Sequence, residues 1–275
     1  MIRFGNKDTL FVDRCSGRVN ASQNRYEGVF GVLEWVHRAI FMQNGSVIMG
    51  IGAVAALLIM GAAGVYIWWP RKPLNFIQGW VVDRRLKGLM LTLGLHKAIG
   101  AWAVVALMLS SATAIPNAFD PVKNWMIGGR AEAKPQSTPP GKNAVKLPLD
   151  AAMATVRGLT PDPREVLIHL ARKAKDPLEI FVIEAKAPHV NARTYLYIDA
   201  YSGKVLKFAP YSQTGFGSRL YYWMLSIHTG QVGGVIGRLL LFLGAACIPI
   251  LAYTGASSYL RRRFRKPVRR SATAA

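Results

Sequence analysis

Three of the five histidines could do chemistry, because each lies at the mouth of a long apolar segment. His37 precedes Trp69 by 32 residues, and His228 precedes Leu260 by the same 32 residues. On two neighbouring helices that run in the same direction, the two imidazoles would therefore lie at the same height. Two level imidazoles can ligate one haem iron from its two sides. The spacing thus predicts a bis-histidine haem site at His37 and His228.

His96 lies near the opposite end of this arrangement and has no partner at its own height. Arg38 and Arg238 could pair with haem propionates or extend to the membrane interface. Two other interpretations of the three histidines stay open, namely hydrogen bonds to backbone at helix starts and a metal other than haem iron. His169 and His189 have no second ligand-type residue at a suitable spacing, so we expect ordinary surface or core roles for both.

Glycines accompany two of these histidines. Gly100 follows His96 by one helical turn, and we expect a further set to leave one face of the third helix without bulk, namely Gly230, Gly233, Gly234 and Gly237. Such a face suits a flat haem between helices, although glycine equally favours plain helix packing.

Apolar helices must position these residues, and three uncharged segments can form them. Residues 39–70, 98–119 and 239–260 contain no Asp, Glu, Lys or Arg. Each is long enough to cross a hydrocarbon layer of about 30 Å at about 1.5 Å per residue. The whole chain is 51% hydrophobic and only 18% charged, which is too apolar for a soluble protein of 275 residues. We predict transmembrane helices over residues 30–70, 88–116 and 220–260.

Basic residues give these helices a predicted orientation. The chain has 35 Lys and Arg against 14 Asp and Glu, which gives a formal net charge of +21. The loop at residues 71–87 and the tail at residues 261–275 are rich in Lys and Arg, which mark the cytoplasmic side of membrane proteins. We therefore expect the C-terminus in the cytoplasm, the N-terminus outside and no nucleic acid partner.

A hairpin motif followed by a histidine and a span occurs twice. LFVDRCSGRV at residues 10–19 corresponds to LYIDAYSGKV at residues 196–205, and each pattern is typical of a strand, a turn and a second strand. The second copy is preceded by a span and a small module, whereas the first copy begins inside such a module. We therefore expect a truncated four-span architecture that lacks its first helix and most of its first outer domain.

The segments outside the membrane differ in composition. Residues 1–29 read as part of an outer module, and residues 117–146 read as an extended linker rich in Pro, Lys and Gly. Residues 147–215 combine one short helix pattern with several strand patterns. The predicted fold is a three-helix transmembrane bundle, derived from a four-helix architecture, with a small α+β domain outside.

With these motifs, the chain resembles the PepSY-associated transmembrane family. The matching segments are LEWVH at residues 33–37, GVYIWWPR at residues 64–71, LHKAIGAW at residues 95–102, IHTG at residues 227–230 and YTG at residues 253–255. The outer module, which contains YIDAYSGKV at residues 197–205, looks like a PepSY domain. The likeness covers nearly the whole chain.

The resemblance implies a protein of the bacterial inner membrane, embedded in the lipid bilayer, with a periplasmic N-terminus and PepSY-like domain. It implies two b-type haems, one toward each face. His37 and His228 match the outer ligand pair, and His96 matches one inner ligand. The second inner ligand would lie on the expected missing helix.

The resulting hypothesis is a haem-dependent reductase that passes electrons across the membrane to a periplasmic ferric siderophore or other Fe(III) chelate. The sequence has no Rossmann glycine pattern or flavin signature, so an unidentified donor on the cytoplasmic side must supply the electrons. The alternative is a non-enzymatic, membrane-anchored PepSY module that regulates or binds an extracytoplasmic protein or a transporter.

Overall fold

The computed structural model describes residues 1–4, 8–13, 15–38, 42–70, 76–129, 133–141 and 144–264. The strands are β1 (Ile2–Arg3), β2 (Asp8–Val12), β3 (Val19–Asn24), β4 (Pro163–His169), β5 (Leu178–Glu184), β6 (Arg193–Ile198) and β7 (Val205–Ala209). The α-helices are α1 (Gly28–His37), α2 (Gly45–Ala55), α3 (Ala62–Trp68), α4 (Gly88–Ala118), α5 (Asp120–Met126), α6 (Leu149–Leu159), α7 (Phe216–His228) and α8 (Gly234–Arg263). Part of the predicted basic loop, residues 71–75, and most of the predicted basic tail, residues 265–275, lie outside the described residues.

Three helical segments are long and apolar enough to cross a membrane, namely Gly45–Trp68, Gly88–Ala118 and Gly234–Arg263. The first consists of α2, a π-helical turn and α3. Its 24 residues extend over about 36 Å, enough for the hydrocarbon layer. Leu58 and Val235 are among many apolar side chains left exposed on these helices, where lipid can solvate them. The chain is therefore a membrane protein, and the predicted three-span fold is confirmed.

The long helix α4 is the centre of the bundle and packs against α2, α7 and α8. Glycines let the backbones approach closely. A Cβ atom at Gly50 would lie 2.5 Å from the Cβ of Ala118, and one at Gly244 would lie 2.9 Å from the Cβ of Ala106. Van der Waals packing is a main source of helix association in lipid, so these close approaches hold α2 and α8 against α4.

The first and third predicted helices, residues 30–70 and 220–260, are each divided into two. α1 ends at His37 and α2 begins only at Gly45, after Asn44 in the left-handed conformation at φ 58°. α7 ends at His228, and α8 begins at Gly234 after Gly233 at φ 82°. A residue in the left-handed conformation interrupts a right-handed helix, and glycine adopts this conformation at little cost.

This division corrects the expectation of a flat glycine face on the third helix. Gly230, Gly233 and Gly234 all have positive φ angles and form the turn between α7 and α8. Gly237 lies in the first turn of α8, where an added Cβ would lie 2.0 Å from the carbonyl oxygen of Val232. These glycines therefore allow a tight turn between α7 and α8 and do not form a smooth helix surface.

The outer domain is an antiparallel sheet with α6 packed against it. β4, β5, β6 and β7 are neighbours in chain order. Val156 of α6 is fully buried against the sheet residues Ile180, Val182, Leu196 and Ile198. A second, three-stranded sheet of β1, β2 and β3 precedes α1. The predicted small α+β domain is confirmed.

The two hairpins of the internal repeat have the same turn. Asp13 Oδ1 accepts a backbone N–H from three residues further on at 2.8 Å, and Asp199 Oδ1 accepts the equivalent N–H at 2.9 Å. Gly17 and Gly203 follow at φ 70° and φ 73°, which a side chain would disfavour. The repeat in the sequence is therefore a repeat in three dimensions.

Candidate functional site

His37 and His228 lie side by side at one end of the bundle. Their ring centroids are 6.1 Å apart, and their ring planes are inclined by 27°. His37 is the last residue of α1, and His228 is the last residue of α7. The two rings are thus brought together by equivalent short helices that precede the spans, and not by the continuous spans that the sequence spacing implied.

The separation of the two rings suits a metal ion between them. Imidazole nitrogens that each lie about 2.0 Å from one metal ion place the ring centres about 6 Å apart. The centroids of aromatic rings in plain contact also lie about 4.5–7 Å apart, so the distance fits both a shared metal ion and direct contact. The described residues contain no cluster of three His, Cys, Asp or Glu side chains that could hold a metal ion. A pair of histidines is the protein's whole contribution to a bis-histidine haem, because the porphyrin provides the other iron ligands.

Hydrogen bonds fix which nitrogen of His228 is free. Its Nδ1 lies 3.1 Å from the carbonyl oxygen of Ser110 and 3.4 Å from Thr113 Oγ1, both on α4. The Thr113 hydroxyl donates to the Leu109 carbonyl at 2.7 Å, so its oxygen can accept. His228 Nδ1 is therefore the protonated donor, and Nε2 keeps a lone pair for a ligand.

Electrostatics also favour the neutral form of His228. Burial is the largest influence and lowers the pKa of this imidazole, and the neighbouring His37 lowers it further. The hydrogen bond to Ser110 acts in the opposite direction but is outweighed. A neutral imidazole is the form that binds metals, so this environment suits ligation.

His96 has a comparable environment at the other end of α4. Its Nδ1 lies 2.9 Å from Thr254 Oγ1 of α8, and the Thr254 hydroxyl donates to the Ile250 carbonyl at 2.7 Å. His96 Nδ1 is therefore a donor, and its Nε2 is available as an acceptor. His96 and Thr113 are 17 residues apart on α4, which corresponds to about 25 Å along the helix axis.

A cavity of about 240 Å³ opens beside His96. Trp68 and Trp80 line it, with Gly64 and Gly100 on α3 and α4. No atom lies within 4 Å of a Cβ placed at Gly64, whereas Gly100 would contact Leu251 of α8 at 3.7 Å. The cavity therefore offers mainly apolar space beside His96.

A family comparison accounts for this arrangement of spans, hairpins and histidines. The family model described as the PepSY-associated TM region matches residues 3–262. The chain belongs to this family. The match includes both hairpin copies and the three described spans apart from Arg263, so the resemblance inferred from the motifs is confirmed. A comparison with curated proteins gives no match.

In this PepSY-associated transmembrane protein, neither predicted arginine is free of protein partners. Arg38 forms an ion pair with Glu34 at 3.3 Å, one turn back on α1, and Glu34 is also bonded to Arg25 Nε at 3.1 Å. Arg238 donates to Gln231 Oε1 at 2.7 Å. Arg38 and Arg238 are both exposed.

His169 and His189 take structural positions. His169 is exposed on β4, beside the ring of Phe181. His189 is buried, and its Nδ1 lies 3.0 Å from Ser226 Oγ of α7. Burial lowers the pKa of His189 and keeps it neutral. His189 therefore links the outer domain to the helix that ends in His228.

The groups that orient the histidines are not evident from the sequence. Ser110 and Thr113 lie against His228, and Thr254 lies against His96. Their only signal is that polar residues interrupt apolar segments, which is disfavoured in lipid unless such residues find partners. Thr254 stands directly before Gly255 of the YTG motif.

Proposed function

We propose that this protein is a haem-bearing oxidoreductase that passes electrons across the bacterial inner membrane to a periplasmic ferric siderophore. The observation that carries the proposal is the His37–His228 pair, with ring centroids 6.1 Å apart. The pair adjoins the outer domain, because α7 leads from that domain directly to His228.

The residues of the chain would divide the work of holding a b-type haem. His37 and His228 would ligate the haem iron, and the Ser110 carbonyl keeps His228 in the tautomer that exposes Nε2. Arg38 and Arg238 are near in sequence to these ligands and could bind propionates. The haem itself would supply one-electron chemistry at its iron.

His96 supports a second haem position toward the other end of the bundle. The distance of about 25 Å along α4 between His96 and Thr113 separates the two positions across most of the membrane. The other four histidines lie in the outer domain or at the outer end of the bundle. A second histidine for this position would therefore come from a further segment or another subunit.

The positions of the basic residues support the orientation. The contact of His96 with Thr254 shows that the start of α4 lies beside the end of α8. Arg84, Arg85 and Lys87 before α4 therefore lie at the same end of the bundle as Arg261–Arg263 in the last turn of α8. By the positive-inside rule this end faces the cytoplasm, where an unidentified donor would deliver electrons.

The proposed substrate receives its electron on the opposite side. One electron converts the Fe(III) of the chelate to Fe(II), which siderophore oxygens hold far more weakly because these hard ligands prefer the higher charge. The outer domain lies beside the His37–His228 pair and would hold the chelate there. The released Fe(II) is the product that an uptake system would use.

The test is the visible spectrum of the protein purified in detergent. We expect a reduced-minus-oxidised difference spectrum with a Soret shift and an α band. His37→Ala and His228→Ala should each abolish the outer haem, because each removes one axial ligand. His169→Ala is the matched control, since His169 is exposed on β4, and this variant should keep its full haem content.

Two results would contradict the proposal. A colourless protein would exclude the haem and favour the non-enzymatic PepSY module, in which the His228–Ser110 bond is only structural. Full haem content in both His37→Ala and His228→Ala would show that haem binds elsewhere. Reduction of a ferric siderophore by the dithionite-reduced protein, followed by stopped-flow spectroscopy, tests the activity itself.

A further inference from the structure

A second cavity lies between the outer domain and the helices that connect it to the membrane. Its volume is about 190 Å³. Three separate elements, α5, β6 and α7, contribute to its wall. We call this cavity the outer pocket and define it by Lys123, Asn191, Arg193, Tyr195, Tyr221 and Tyr222.

Two cationic side chains from different elements line the outer pocket. Neither Lys123 of α5 nor Arg193 of β6 forms an ion pair with a carboxylate of the described chain. Lys123 Nζ lies 5.8 Å from the centre of the Tyr221 ring, within the range of a cation–π contact. Asp120 on α5 is close enough to act on Tyr221, so one acid stands near two cations. The pocket therefore keeps a net positive charge.

The tyrosines provide neutral hydrogen-bond donors. Tyr195 and Tyr222 lie with their hydroxyl oxygens 3.1 Å apart. Burial is the main cause that raises the pKa of Tyr195 and of Tyr221 above the ordinary value. The hydroxyls of Tyr195 and Tyr221 stay protonated at neutral pH, so they do not repel an anion and can donate to it.

This combination of side chains is specific for oxygen anions. Arginine presents a planar set of N–H donors that fits a carboxylate with two parallel hydrogen bonds, and lysine adds a point charge. The pocket is too small for a complete chelate of high molecular weight. It can hold a small polycarboxylate or one carboxylate arm of a larger molecule.

The outer pocket is also close to the histidine pair. Tyr222 precedes His228 by six residues on α7, which corresponds to about 9 Å along the helix axis. A chelate anchored in the pocket would therefore have its iron near the rings of His37 and His228. The chelate would then be bound beside Tyr222 and would receive its electron near His228, both on α7.

We propose that the outer pocket binds a carboxylate group of the iron chelate, with Arg193 and Lys123 as its main contacts. The assignment of the ligand as an iron chelate rests on the proposed function, whereas the binding of an oxygen anion does not. The pocket thus selects carboxylate-bearing chelates over uncharged ones.

The experiment measures binding to the full chain in phosphatidylcholine nanodiscs by isothermal titration calorimetry. The probes are citrate, its ferric complex, a neutral ferric trihydroxamate and glycerol 1-phosphate, which represents a lipid headgroup. We expect both citrate probes to bind at least tenfold more tightly than the other two. Arg193→Gln and Lys123→Gln should each weaken citrate binding about tenfold or more, because each removes a charged hydrogen-bond donor.

Two further variants make the result interpretable. Arg172→Gln is the matched control, because Arg172 is exposed in the loop before β5, at the opposite end of the sheet from Arg193, and it should not change the affinity. Arg193→Lys keeps the positive charge and should lose less affinity for citrate than Arg193→Gln. A folding defect at this position would not produce such a dependence on charge.

Several results would overturn the proposal. They are an unchanged citrate affinity in Arg193→Gln, tighter binding of the trihydroxamate than of ferric citrate, or glycerol 1-phosphate binding as tightly as citrate. The haem spectrum is recorded on the same samples. Citrate binding without haem would support the outer pocket and refute the proposed function. Haem without citrate binding would support the proposed function and refute the outer pocket.

Discussion

Replacing Ser226 by alanine should loosen the contact between the outer domain and α7. Ser226 is fully buried, its Oγ accepts from Asn191 Nδ2 at 2.8 Å, and it lies 3.0 Å from His189 Nδ1. His189 Nδ1 also accepts the Asn191 backbone N–H at 3.2 Å, so the Ser226 hydroxyl donates to it. The network is therefore complete, and one hydroxyl connects two outer-domain side chains to the helix.

The magnitude follows from the partners that the substitution leaves behind. Asn191 Nδ2 loses its acceptor in a buried position, which costs about 1–3 kcal/mol, and the bond to His189 contributes about 1 kcal/mol more. We therefore expect the local free energy of unfolding to fall by about 2–4 kcal/mol. Opening of this contact should become at least about 30-fold more frequent.

Hydrogen–deuterium exchange followed by mass spectrometry measures this change. Peptides from α7 and from the loop that contains His189 should lose protection in Ser226→Ala, whereas peptides from α8 should not. Thr229→Val is the matched control, because Thr229 is exposed and, among the described residues, its hydroxyl bonds only to Leu225 and Ser226 of its own helix. The control should change protection by less than about 0.5 kcal/mol.

One outcome would refute this reasoning. If Ser226→Ala keeps wild-type protection in α7 to within about 0.5 kcal/mol, the buried network does not hold the outer domain on the helix. A loss of protection confined to the outer domain would show that the network stabilises the domain alone. Because Ser226 precedes His228 by two residues, loosening of α7 should also lower the haem content.

Further predictions concern the inner histidine and the repeated turn. Thr254→Val removes the group that orients His96 and should weaken haem binding there at least about tenfold, measured by titration with haem. Thr92→Val, on an exposed hydroxyl of α4, should have no effect. The N–H groups of Ser202, Thr138 and Tyr201 outweigh burial and lower the pKa of Asp199 to about 2. Because its folded pKa is depressed, Asp199 should stabilise the domain above pH 4, and this contribution should disappear as the pH falls toward 2. In thermal unfolding, Asp199→Asn should flatten the dependence of the outer domain's stability on pH. Asp13→Asn, in the exposed copy of the turn, should leave the stability of the outer domain unchanged. Equal effects of the two substitutions would contradict the reasoning.

Several features of the fold could be predicted from local sequence. Spans are determined by the length of uncharged, apolar segments, because backbone groups in lipid must be bonded within one helix. The hairpins follow from Asp13 and Asp199, whose carboxylates accept the turn N–H groups, and from the glycines that follow. The family could be predicted from the same motifs, and the match of the family model to residues 3–262 confirms this prediction.

The helix boundaries next to the histidines required the structure. The predicted helices over residues 30–70 and 220–260 continued through the breaks after His37 and His228, because both breaks are short and contain no charged residue except Arg38. Asn44 and Gly233 become left-handed there. The sequence spacing thus predicted that His37 and His228 lie close together, as they do in the structure. The prediction assumed continuous helices, whereas both helices are divided next to these histidines.

The sequence by itself determined the three spans, the repeated hairpins and the choice of His37, His228 and His96 as candidate ligands, because these depend on residues close together in the chain. Only the tertiary structure decided which groups orient them. Thr254 reaches His96 across 158 positions of sequence. Because α4 and α8 are apolar on all sides, their patterns do not indicate which faces meet, and packing in three dimensions sets this contact.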